Sequence, residues 1–345
     1  MRPLTYKTPK AMVPILNRPF LEHFIAYLKK HGIKDIILTL GYLPDPVQAY
    51  LGDGRNFGVR LVYVVEGAPL GTAGAVKNVA QHLDGTFFVF NGDTFTNLDL
   101  TEMLAFHRQK RAIATIAITP VEDPSRYGVV ETDDQKLVKA FIEKPRREEA
   151  TTNRVNAGTY ILEPEVLAYI PSGSHYMFER GLFPQLLARG RPVYAYPSGA
   201  YWIDIGTPEN YLQVHLDLLQ NKASTPLSVP ADYRGCSIHP SARLEGPVLM
   251  GEGCIIGSKV QLNGPAVLGP GCVIGEEVLI EQAILWHKVR VGAGARLSQC
   301  VVAADCSIGD GCHLSKGCIL GEAVEVKAGS RLEPGTRLWA DKNSP

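Results

Sequence analysis

The second half of the chain repeats an aliphatic residue every six positions, and this period constrains the fold more than any other feature. Eighteen such residues follow one another from Ile238 to Leu338, interrupted by two steps of five, from Ile280 to Leu285 and from Leu297 to Val302. Neither the 3.6-residue period of an amphipathic helix nor the two-residue period of a half-buried strand produces this spacing. The pattern therefore predicts a repeat architecture whose units stack along one axis.

A small or β-branched residue stands four positions after each aliphatic residue of this series. Counting in this way assigns Ile284 and Val301 to the small position, and it accounts for five of the seven cysteines: Cys254, Cys272, Cys306, Cys312 and Cys318. A buried thiol behaves as a compact hydrophobe, so we interpret these cysteines as structural. The repeat resembles the hexapeptide repeat of left-handed parallel β-helices, in which three hexapeptides form one triangular coil. This resemblance implies about six coils over residues 236–340.

The first half alternates strand-like runs with helical patterns. Apolar, β-branched runs occupy residues 36–40, 59–65, 86–91 and 112–119, and helical spacing occupies 20–28, the stretch after Leu70, and 98–107. This alternation predicts an α/β, Rossmann-like domain with a mostly parallel sheet and helices on both faces. We predict a first domain over residues 1–220, a Pro- and Ser-bearing linker over 221–235 and the β-helix over 236–340.

Composition excludes several classes of protein. Thirty-five basic residues balance 35 acidic ones, so no bulk charge attracts nucleic acid or anionic lipid. No apolar run approaches the roughly 20 residues of a bilayer span, and the N-terminus lacks the apolar stretch of a secretory signal. All seven cysteines lie beyond residue 235 without a CxxC pair, which disfavours disulfide and zinc readings. We therefore expect a cytoplasmic protein that binds neither nucleic acid nor membrane.

Polar segments of the first half follow predicted strands or accompany glycines, where ligands of α/β sheets bind. Taken singly, each segment has a structural explanation. Asp93, after Asn91-Gly92, can cap a helix, and Lys10 can be a solvated surface lysine. Glu143 and Lys144 can form an exposed ion pair that contributes under about 1 kcal/mol. Single motifs therefore leave the function open.

Taken together, seven motifs in order resemble the sugar-phosphate nucleotidyltransferase (NDP-sugar pyrophosphorylase) family. They are RPLT…PKAMVPILNRPFLEHFI, EGAPLGTAGAV, FNGD, SRYGVVETD, FIEKP, VNAGTYIL and YWIDIGTPENYL, which span nearly all of residues 1–215. The motifs joined to a β-helix are most similar to the mannose-1-phosphate guanylyltransferase branch. The resemblance implies transfer of a nucleotidyl group from a nucleoside triphosphate, here GTP, to a hexose 1-phosphate, here mannose 1-phosphate, with release of pyrophosphate.

The resemblance also implies roles for individual residues. Asp93 and Asp204 match the carboxylates that hold Mg²⁺, whose preferred ligands are hard oxygens. Lys10 matches the lysine at the triphosphate and Lys144 the lysine at the sugar phosphate, the two catalytic positions. Gly71 and Glu66 match positions at the base, and Gly128, Glu143 and Asn156 match positions that hold sugar hydroxyls. Thr72 and Tyr127 complete the substrate-binding positions. Glu66 favours guanine weakly, because a carboxylate accepts hydrogen bonds from the N–H donors of that base.

One departure from the family pattern concerns the N-terminus. Family members normally open with an apolar strand and a Gly-rich loop ending in Gly-Thr-Arg, and this chain starts about a dozen residues later. Either the start is a downstream Met in the same reading frame, which we favour, or the product is truncated and catalytically impaired. Activity of the chain itself is therefore left open at the level of sequence.

Three functional classes remain on the sequence alone. The first is an active nucleotidyltransferase, with glucose 1-phosphate and UTP or dTTP as alternative substrates. The second is a non-catalytic regulatory subunit of the same family. The third is a hexapeptide acyltransferase, which we disfavour because none of its candidate histidines, His239, His287 and His313, lies beside an insertion loop. The flat faces of the β-helix predict a homo-oligomer, and a regulatory or purely structural role for this domain stays open.

Overall fold

The chain divides into two compact units. A computed structural model describes residues 1–228 and 233–340. One unit combines residues 1–27 with residues 203–345, and the other contains residues 28–202. The predicted linker 221–235 includes residues 229–232, which lie outside the described residues. These units divide the chain after residue 27 and after residue 202. The domain boundaries near residues 220 and 236 therefore stay a prediction.

Six α-helices occur in the described residues. They are α1 (Phe20–Lys30), α2 (Pro44–Leu51), α3 (Gly71–Asn78), α4 (Leu100–Lys110), α5 (Phe183–Ala188) and α6 (Pro208–Leu219). The predicted helices correspond to α1, α3 and α4. The Asp99 side chain begins α4 by accepting hydrogen bonds from the backbone N–H groups of Thr101 and Glu102. Within 1–228 and 233–340, no helix has the length and apolar character that a bilayer crossing needs.

Shorter helical turns also occur in the described residues. Six are of the 3-10 type: Lys10–Met12, Arg55–Phe57, Ala80–His82, Pro124–Arg126, Arg147–Glu149 and Pro164–Tyr169. Phe178–Leu182 forms a single π-helical turn directly before α5. Such wide turns inside or beside α-helices often accompany functional sites.

Strands β1 to β12 precede the repeat region. They are β1 (Pro14–Ile15), β2 (Arg18–Pro19), β3 (Asp35–Leu40), β4 (Arg60–Val65), β5 (Phe87–Phe90), β6 (Thr94–Thr96), β7 (Ala114–Pro120), β8 (Gly128–Thr132), β9 (Val138–Glu143), β10 (Arg154–Leu162), β11 (Val193–Pro197) and β12 (Trp202–Asp204). The four strand-like runs of the sequence correspond to β3, β4, β5 and β7.

The sheet of unit 28–202 is mixed in direction. Strand β10 runs antiparallel to β5, β7 and β8, and β9 runs antiparallel to β8. Strand β11 runs parallel to β7, and β3 runs parallel to β4 in a separate pair. Aliphatic and aromatic side chains of β7 and β10 pack against the π-helical turn and α5, where Tyr160, Phe178 and Phe183 are fully buried. The predicted α/β class is confirmed, and the ends of β8, β9 and β10 carry most of the predicted sugar-binding residues.

The second half of the chain forms a parallel β-helix of about six coils, as predicted. Its strands β13 to β30 are, in chain order, Ser237–Ile238, Arg243–Glu245, Val248–Met250, Ile255–Ile256, Gln261–Asn263, Ala266–Leu268, Val273–Ile274, Leu279–Glu281, Ile284–Leu285, Arg290–Val291, Arg296–Ser298, Val301–Val302, Ser307–Ile308, His313–Leu314, Ile319–Leu320, Glu325–Val326, Arg331–Leu332 and Arg337–Leu338. Every third strand stacks on the next coil, which gives three parallel sheets of six strands each.

The two five-residue steps shorten the coils by one residue, and they shift the inward positions. The strand residue Val267 pairs with Ile284 and Ile280 pairs with Leu297, each 17 residues on, whereas Ile238 pairs with Ile256 at 18. In these coils Ala283 and Cys300 pack in the core of the β-helix. The assignment of Ile284 and Val301 to the inward small position was wrong: they point to the outer side of the third sheet, where both are buried.

Because of this shift, the core of the β-helix contains one more cysteine than predicted. Cys300 joins the five predicted cysteines inside the β-helix, and Cys236 packs against the same core at its first coil. All seven cysteines are free thiols. Burial raises the pKa of the Cys306 thiol to about 11 and that of Cys300 further, which keeps these side chains protonated and apolar.

The outer side of the third sheet is covered by the other segments of its own unit. Its outward residues Leu249, Val267 and Ile319 are buried. The Asn17 side chain donates a hydrogen bond to the Leu268 backbone carbonyl at 2.9 Å, and the Trp286 indole N–H donates to the Tyr211 hydroxyl on α6 at 3.0 Å. The N-terminal 27 residues and α6 therefore fold against the β-helix as parts of one unit.

Candidate active site

Lys10 and Asp204 form a charged corner in the unit of residues 1–27 and 203–345. Lys10 begins a 3-10 turn after Pro9, and Asp204 ends β12. Lys10 Nζ lies 4.0 Å from Asp204 Oδ1, and about a third of each side chain is exposed, 32% and 37%. A pair at this distance and exposure contributes under about 1 kcal/mol to stability.

Gly206 lies next to the Lys10–Asp204 corner and contacts the Asp204 carboxylate through its backbone. Its N–H donates a hydrogen bond to Asp204 Oδ1 at 2.6 Å. A Cβ atom at Gly206 would lie 2.7 Å from Asp204 Oδ1 and 3.2 Å from Lys10 Nζ. The Asn210 side chain, in the first turn of α6, donates to the Asp204 carbonyl at 2.7 Å. The Gly206 N–H thus orients the Asp204 carboxylate, and Asn210 holds the Asp204 backbone.

Glu143 ends strand β9 beside Gly128, the first residue of β8, and Lys144 directly follows the strand. Gly128 and Glu143 are directly opposite in the β8–β9 pair, and a Cβ atom at Gly128 would lie 2.9 Å from Glu143 Oε2. The Lys144 N–H donates to the Tyr127 carbonyl at 3.0 Å, and Lys144 adopts a positive φ of 50°. Lys144 is 61% exposed and its Nζ lies 3.9 Å from Glu143 Oε1, whereas Glu143 is only 19% exposed. The structure therefore brings all four of these predicted residues together.

The surroundings of Glu143 stabilise its ionised form less than water does. Burial raises the pKa of the Glu143 carboxyl, and the nearby carboxylate of Glu179 raises it further, whereas Lys144 and Arg180 act in the opposite direction. A partly buried carboxylate that lacks a dominant cationic partner gains most from hydrogen-bond donors. Glu143 is therefore suited to accept hydrogen bonds from hydroxyl groups of a ligand.

Asn156 lies on β10 at a register shift of the β10–β7 pair between Asn156 and Tyr160. Its side-chain oxygen accepts a hydrogen bond from the Gly158 N–H at 3.0 Å, and its amide donates to the Tyr160 hydroxyl at 2.7 Å. The Tyr160 hydroxyl donates in turn to Glu179 Oε1 at 3.4 Å. Complete burial and the neighbouring Glu179 carboxylate raise the pKa of Tyr160 well above its ordinary value, so Tyr160 stays a hydrogen-bond donor.

Glu66, Gly71 and Thr72 lie in and after the loop that precedes α3. Glu66 Oε2 accepts a hydrogen bond from the Leu70 N–H at 3.1 Å, which closes the loop. Gly71 has a φ of +72°, and a Cβ atom there would lie 2.7 Å from the Tyr176 carbonyl oxygen. Both the conformation and the close approach to Tyr176 require glycine. The contact of these residues with a base stays a prediction, and their contacts in the structure shape the loop.

Thr72 links this loop to the π-helical turn. Its hydroxyl accepts a hydrogen bond from the Phe178 N–H at 2.9 Å and donates to Glu179 Oε2 at 3.3 Å. Glu179 thereby contacts the predicted residues Thr72 and, through Tyr160, Asn156. Neither Glu179 nor Tyr160 was predicted from the sequence. Tyr160 lies within the VNAGTYIL motif but reads there as an apolar strand residue, and Glu179 lies outside the motifs in a π-helical turn, which has no sequence period that could reveal it.

Asp93 follows β5 and directly precedes β6 in the unit of residues 28–202, and it is partly buried. Asp204 belongs to the other unit, so the convergence of the two aspartates on one Mg²⁺ stays a prediction. Among residues 1–228 and 233–340, no group of three or more His, Cys, Asp or Glu side chains could hold a metal ion. Two carboxylates nevertheless suit Mg²⁺, which usually binds one or two carboxylates and completes its octahedron with substrate phosphates and water.

A family model described as "Nucleotidyl transferase" matches residues 1–221, which is more than half of the chain. The chain belongs to the nucleotidyltransferase family, a family of transferases. A second model, "EIF2B subunit epsilon LbH domain", matches residues 232–332, within the β-helix. These matches agree with the resemblance derived from the motifs and from the hexapeptide period.

Two curated relatives extend over most of the chain. A mannose-1-phosphate guanylyltransferase of Mycobacterium tuberculosis is 39% identical over 258 residues, which cover 73% of this chain and 71% of the relative. A UTP–glucose-1-phosphate uridylyltransferase of Synechocystis is 37% identical over 319 residues, covering 86% and 82% respectively. Among solved structures, HddC from Yersinia pseudotuberculosis complexed with GMP-PN is 30% identical with a TM-score of 0.54, covering 62% of this chain and 92% of HddC.

Proposed function

We propose that this chain transfers a nucleotidyl group from a nucleoside triphosphate to a hexose 1-phosphate, with GTP and mannose 1-phosphate as substrates and GDP-mannose and pyrophosphate as products. The observation that carries the proposal is the Lys10–Asp204 corner, where a cation and a carboxylate, each about a third exposed, lie 4.0 Å apart and the Gly206 N–H, just before α6, binds the carboxylate. The names of the M. tuberculosis relative and of the HddC complex support guanine and mannose.

The chemistry needs positioning and charge neutralisation more than a general base. A phosphate monoester has its second pKa near 6, so hexose 1-phosphate is mostly dianionic at neutral pH. One of its phosphate oxygens attacks the α-phosphorus of the triphosphate, and the bond between the α-phosphorus and the bridging oxygen breaks, which releases pyrophosphate. The absence of a Ser/His or Cys/His pair from the predicted site residues is consistent with this reaction.

Different residues contact different parts of the two substrates. Lys10 neutralises charge on the triphosphate, and Lys144 does so on the sugar phosphate. Gly128, Tyr127, Glu143 and Asn156 hold the hexose, and the Glu66–Thr72 loop lies against the base. Asp93 and Asp204 would hold Mg²⁺, which supplies Lewis-acid neutralisation of the phosphates when it is bound.

A second candidate, glucose-1-phosphate uridylyltransferase, is favoured by one observation. The Synechocystis uridylyltransferase aligns over 86% of the chain, which includes part of the β-helix, whereas the M. tuberculosis relative aligns over 73%. The two candidates share the same reaction and the same site residues. They differ in the base and in the configuration of the sugar at C2.

A matrix of substrates tests both candidates. Pyrophosphate release is measured for GTP, UTP and dTTP, each with mannose 1-phosphate and with glucose 1-phosphate, in Mg²⁺ and in EDTA. The chain alone and the chain extended by a relative's Gly-rich N-terminal loop are assayed side by side. We expect the highest kcat/KM for GTP with mannose 1-phosphate and loss of turnover in EDTA.

Other outcomes have defined meanings. Preference for UTP with glucose 1-phosphate establishes the second candidate, and undiminished turnover in EDTA contradicts the Mg²⁺ proposal. No pyrophosphate release by either form with any pair contradicts the transferase function, and binding of GDP-mannose without turnover would then support a regulatory subunit.

A further inference from the structure

Glu179 is a carboxylate that no motif of the family resemblance includes, although it contacts the predicted residue Thr72 and also Tyr160, the hydrogen-bond partner of Asn156. It lies in the π-helical turn Phe178–Leu182. The Gly181 and Leu182 N–H groups both donate to the Met177 carbonyl, each at 3.1 Å. A Cβ atom at Gly181 would lie 2.5 Å from the Tyr176 ring, so this turn depends on glycine for its close packing. The widened turn is therefore a fixed element that directs the Glu179 side chain.

Each Glu179 oxygen has a weak protein donor. Oε2 receives the Thr72 hydroxyl at 3.3 Å, and Oε1 receives the Tyr160 hydroxyl at 3.4 Å. An ionised carboxylate offers about four lone-pair sites, and strong hydrogen bonds to it are shorter than about 3 Å. Two long contacts orient the carboxylate without saturating it. Glu179 therefore retains capacity to accept stronger hydrogen bonds from a ligand.

Glu143 provides the second carboxylate of the pair. The Glu179 charge acts on Glu143 strongly enough to raise the pKa of the Glu143 carboxyl, second only to burial. Two carboxylates near each other and partly withdrawn from water repel unless donors or cations compensate. Lys144 is mostly exposed, at 61%, and its Nζ lies at 3.9 Å from Glu143, so it compensates incompletely. The protein supplies this pair only with the long Thr72 and Tyr160 contacts to Glu179 and the distant Lys144, and a polyhydroxyl ligand would add stronger donors.

We propose that Glu179 is a specificity-determining residue that accepts a hydrogen bond from a hexose hydroxyl, so that Glu143 and Glu179 together select the hydroxyl pattern of the sugar phosphate. This inference rests on the proposed function. A hydroxyl that donates to a carboxylate in a desolvated site discriminates strongly, since an analogue without it leaves the charge unpaired. The Thr72–Glu179 contact also places this carboxylate beside the loop that is expected to hold the base.

A purely structural role makes different predictions. If Glu179 only holds Tyr160 and Thr72, then Tyr160→Phe reproduces the effects of Glu179→Gln, and both lower thermal stability without changing sugar preference. If Glu179 binds the hexose, Glu179→Gln changes the preference among sugar analogues more than Tyr160→Phe does. Tyr160→Phe removes one weak donor to Glu179 and the acceptor of the Asn156 amide, but it leaves the carboxylate in place. Glu149→Gln is the matched control, since Glu149 is an exposed carboxylate in the same unit that pairs with Arg146.

The test measures the dependence on single sugar hydroxyls. Steady-state kinetics are recorded for mannose 1-phosphate and for its 3-, 4- and 6-deoxy analogues and the C2 epimer glucose 1-phosphate, with wild type, Glu179→Gln and the control. For Glu179→Gln we expect the KM of mannose 1-phosphate to rise about 10- to 100-fold with the KM of GTP changed less than about twofold. At least one of these analogues should have a much lower kcat/KM than mannose 1-phosphate in wild type, and in Glu179→Gln this difference should disappear. Glu149→Gln should behave as wild type.

The inference is overturned if the KM of mannose 1-phosphate stays within about twofold in Glu179→Gln, or if every analogue is rejected equally by the variant and wild type. Binding separates this failure from that of the proposed function. Titration calorimetry compares GDP with GDP-mannose on wild type and Glu179→Gln. Wild type that neither turns over a substrate pair nor binds GDP-mannose more tightly than GDP contradicts both proposals, whereas an active wild type with an unaffected variant contradicts the role of Glu179 alone.

Discussion

The indole N–H of Trp286, on the β-helix, donates a hydrogen bond to the hydroxyl of Tyr211 on α6 at 3.0 Å, and both side chains are buried. The Tyr211 hydroxyl donates in turn to the backbone carbonyl of Pro14 in β1. This chain of two hydrogen bonds connects the repeat region, α6 and the N-terminal segment. The β-helix is therefore built into the unit that contains Lys10 and Asp204.

Breaking this connection should lower stability in a coupled way. Tyr211→Phe leaves the Trp286 N–H without its acceptor, which costs about 1–3 kcal/mol, and Trp286→Phe costs about 1 kcal/mol for the hydrogen bond plus a packing loss. A double-mutant cycle by urea unfolding should give a coupling energy of about 1 kcal/mol. Trp339→Phe is the control, because the Trp339 indole N–H has no hydrogen-bond partner among the described residues. Additive effects of the first two changes would contradict the coupling.

Replacing Lys10 should impair catalysis and spare the fold. Lys10→Gln removes the charge that we assign to the triphosphate, and kcat/KM should fall by about 10²-fold or more. The unfolding free energy should change by less than about 1 kcal/mol, because the Lys10–Asp204 pair is partly exposed and spans 4.0 Å. Lys7→Gln, an exposed neighbour, should leave both quantities unchanged. Equal loss of activity in the two variants would exclude a specific role for Lys10.

A methyl group at position 206 should displace the same corner. In Gly206→Ala the new Cβ meets Asp204 Oδ1 at 2.7 Å, so the carboxylate must rotate away from its present direction. We expect kcat/KM to fall by about 10- to 100-fold, because small displacements of positioned groups are costly. Gly199→Ala is the matched control, since a Cβ there meets no atom within 4 Å. Activity of Gly206→Ala equal to that control would show that the direction of Asp204 is unimportant.

His215 on α6, which hydrogen-bonds to the β1–β2 hairpin, should make the protein less stable in acid. His215 accepts a hydrogen bond from the Leu16 N–H at 3.4 Å and donates to the Pro14 carbonyl at 3.2 Å. Complete burial, together with the neighbouring His23, lowers the pKa of His215 from 6.5 to about 3. The pKa of His23 is also lowered, mainly by burial, with opposing effects of Ile15 and Glu22 and a lowering effect of Arg18. Both imidazoles are therefore neutral in the folded protein.

Stability should accordingly fall with pH below 6.5. Between about pH 6.5 and 3 the unfolded state binds a proton at His215 that the folded state does not, so stability is full above pH 6.5 and is lost as the pH decreases. At pH 5 the loss from His215 is about 2 kcal/mol relative to pH 7. His215→Gln, which can keep both hydrogen bonds, should reduce this slope in urea unfolding. His82→Gln, at an exposed position, should not, and an unchanged slope in His215→Gln would refute the assignment.

Local regularity explains what the sequence predicted well. The hexapeptide period indicated a β-helix of about six coils, and strand and helix patterns indicated an α/β unit, because burial within one element imposes a repeat on neighbouring residues. The two five-residue steps lie where the sequence predicted them, between Ile280 and Leu285 and between Leu297 and Val302. The adjacent inward residue was misplaced, since Ala283 and Ile284, and likewise Cys300 and Val301, are apolar pairs of which either member fits the core by composition.

The tertiary structure decided contacts between residues far apart in the chain. Lys10 and Asp204 are 194 positions apart, and Trp286 and Tyr211 are 75 apart. No period relates such positions, because their approach depends on how whole elements pack. Glu179 illustrates the same limit at the candidate site: its contacts with Thr72 and Tyr160 arise from a π-helical turn that leaves no repeat in the sequence. The sequence alone determined the family and the repeat and predicted the site residues, and packing determined which distant side chains lie in contact.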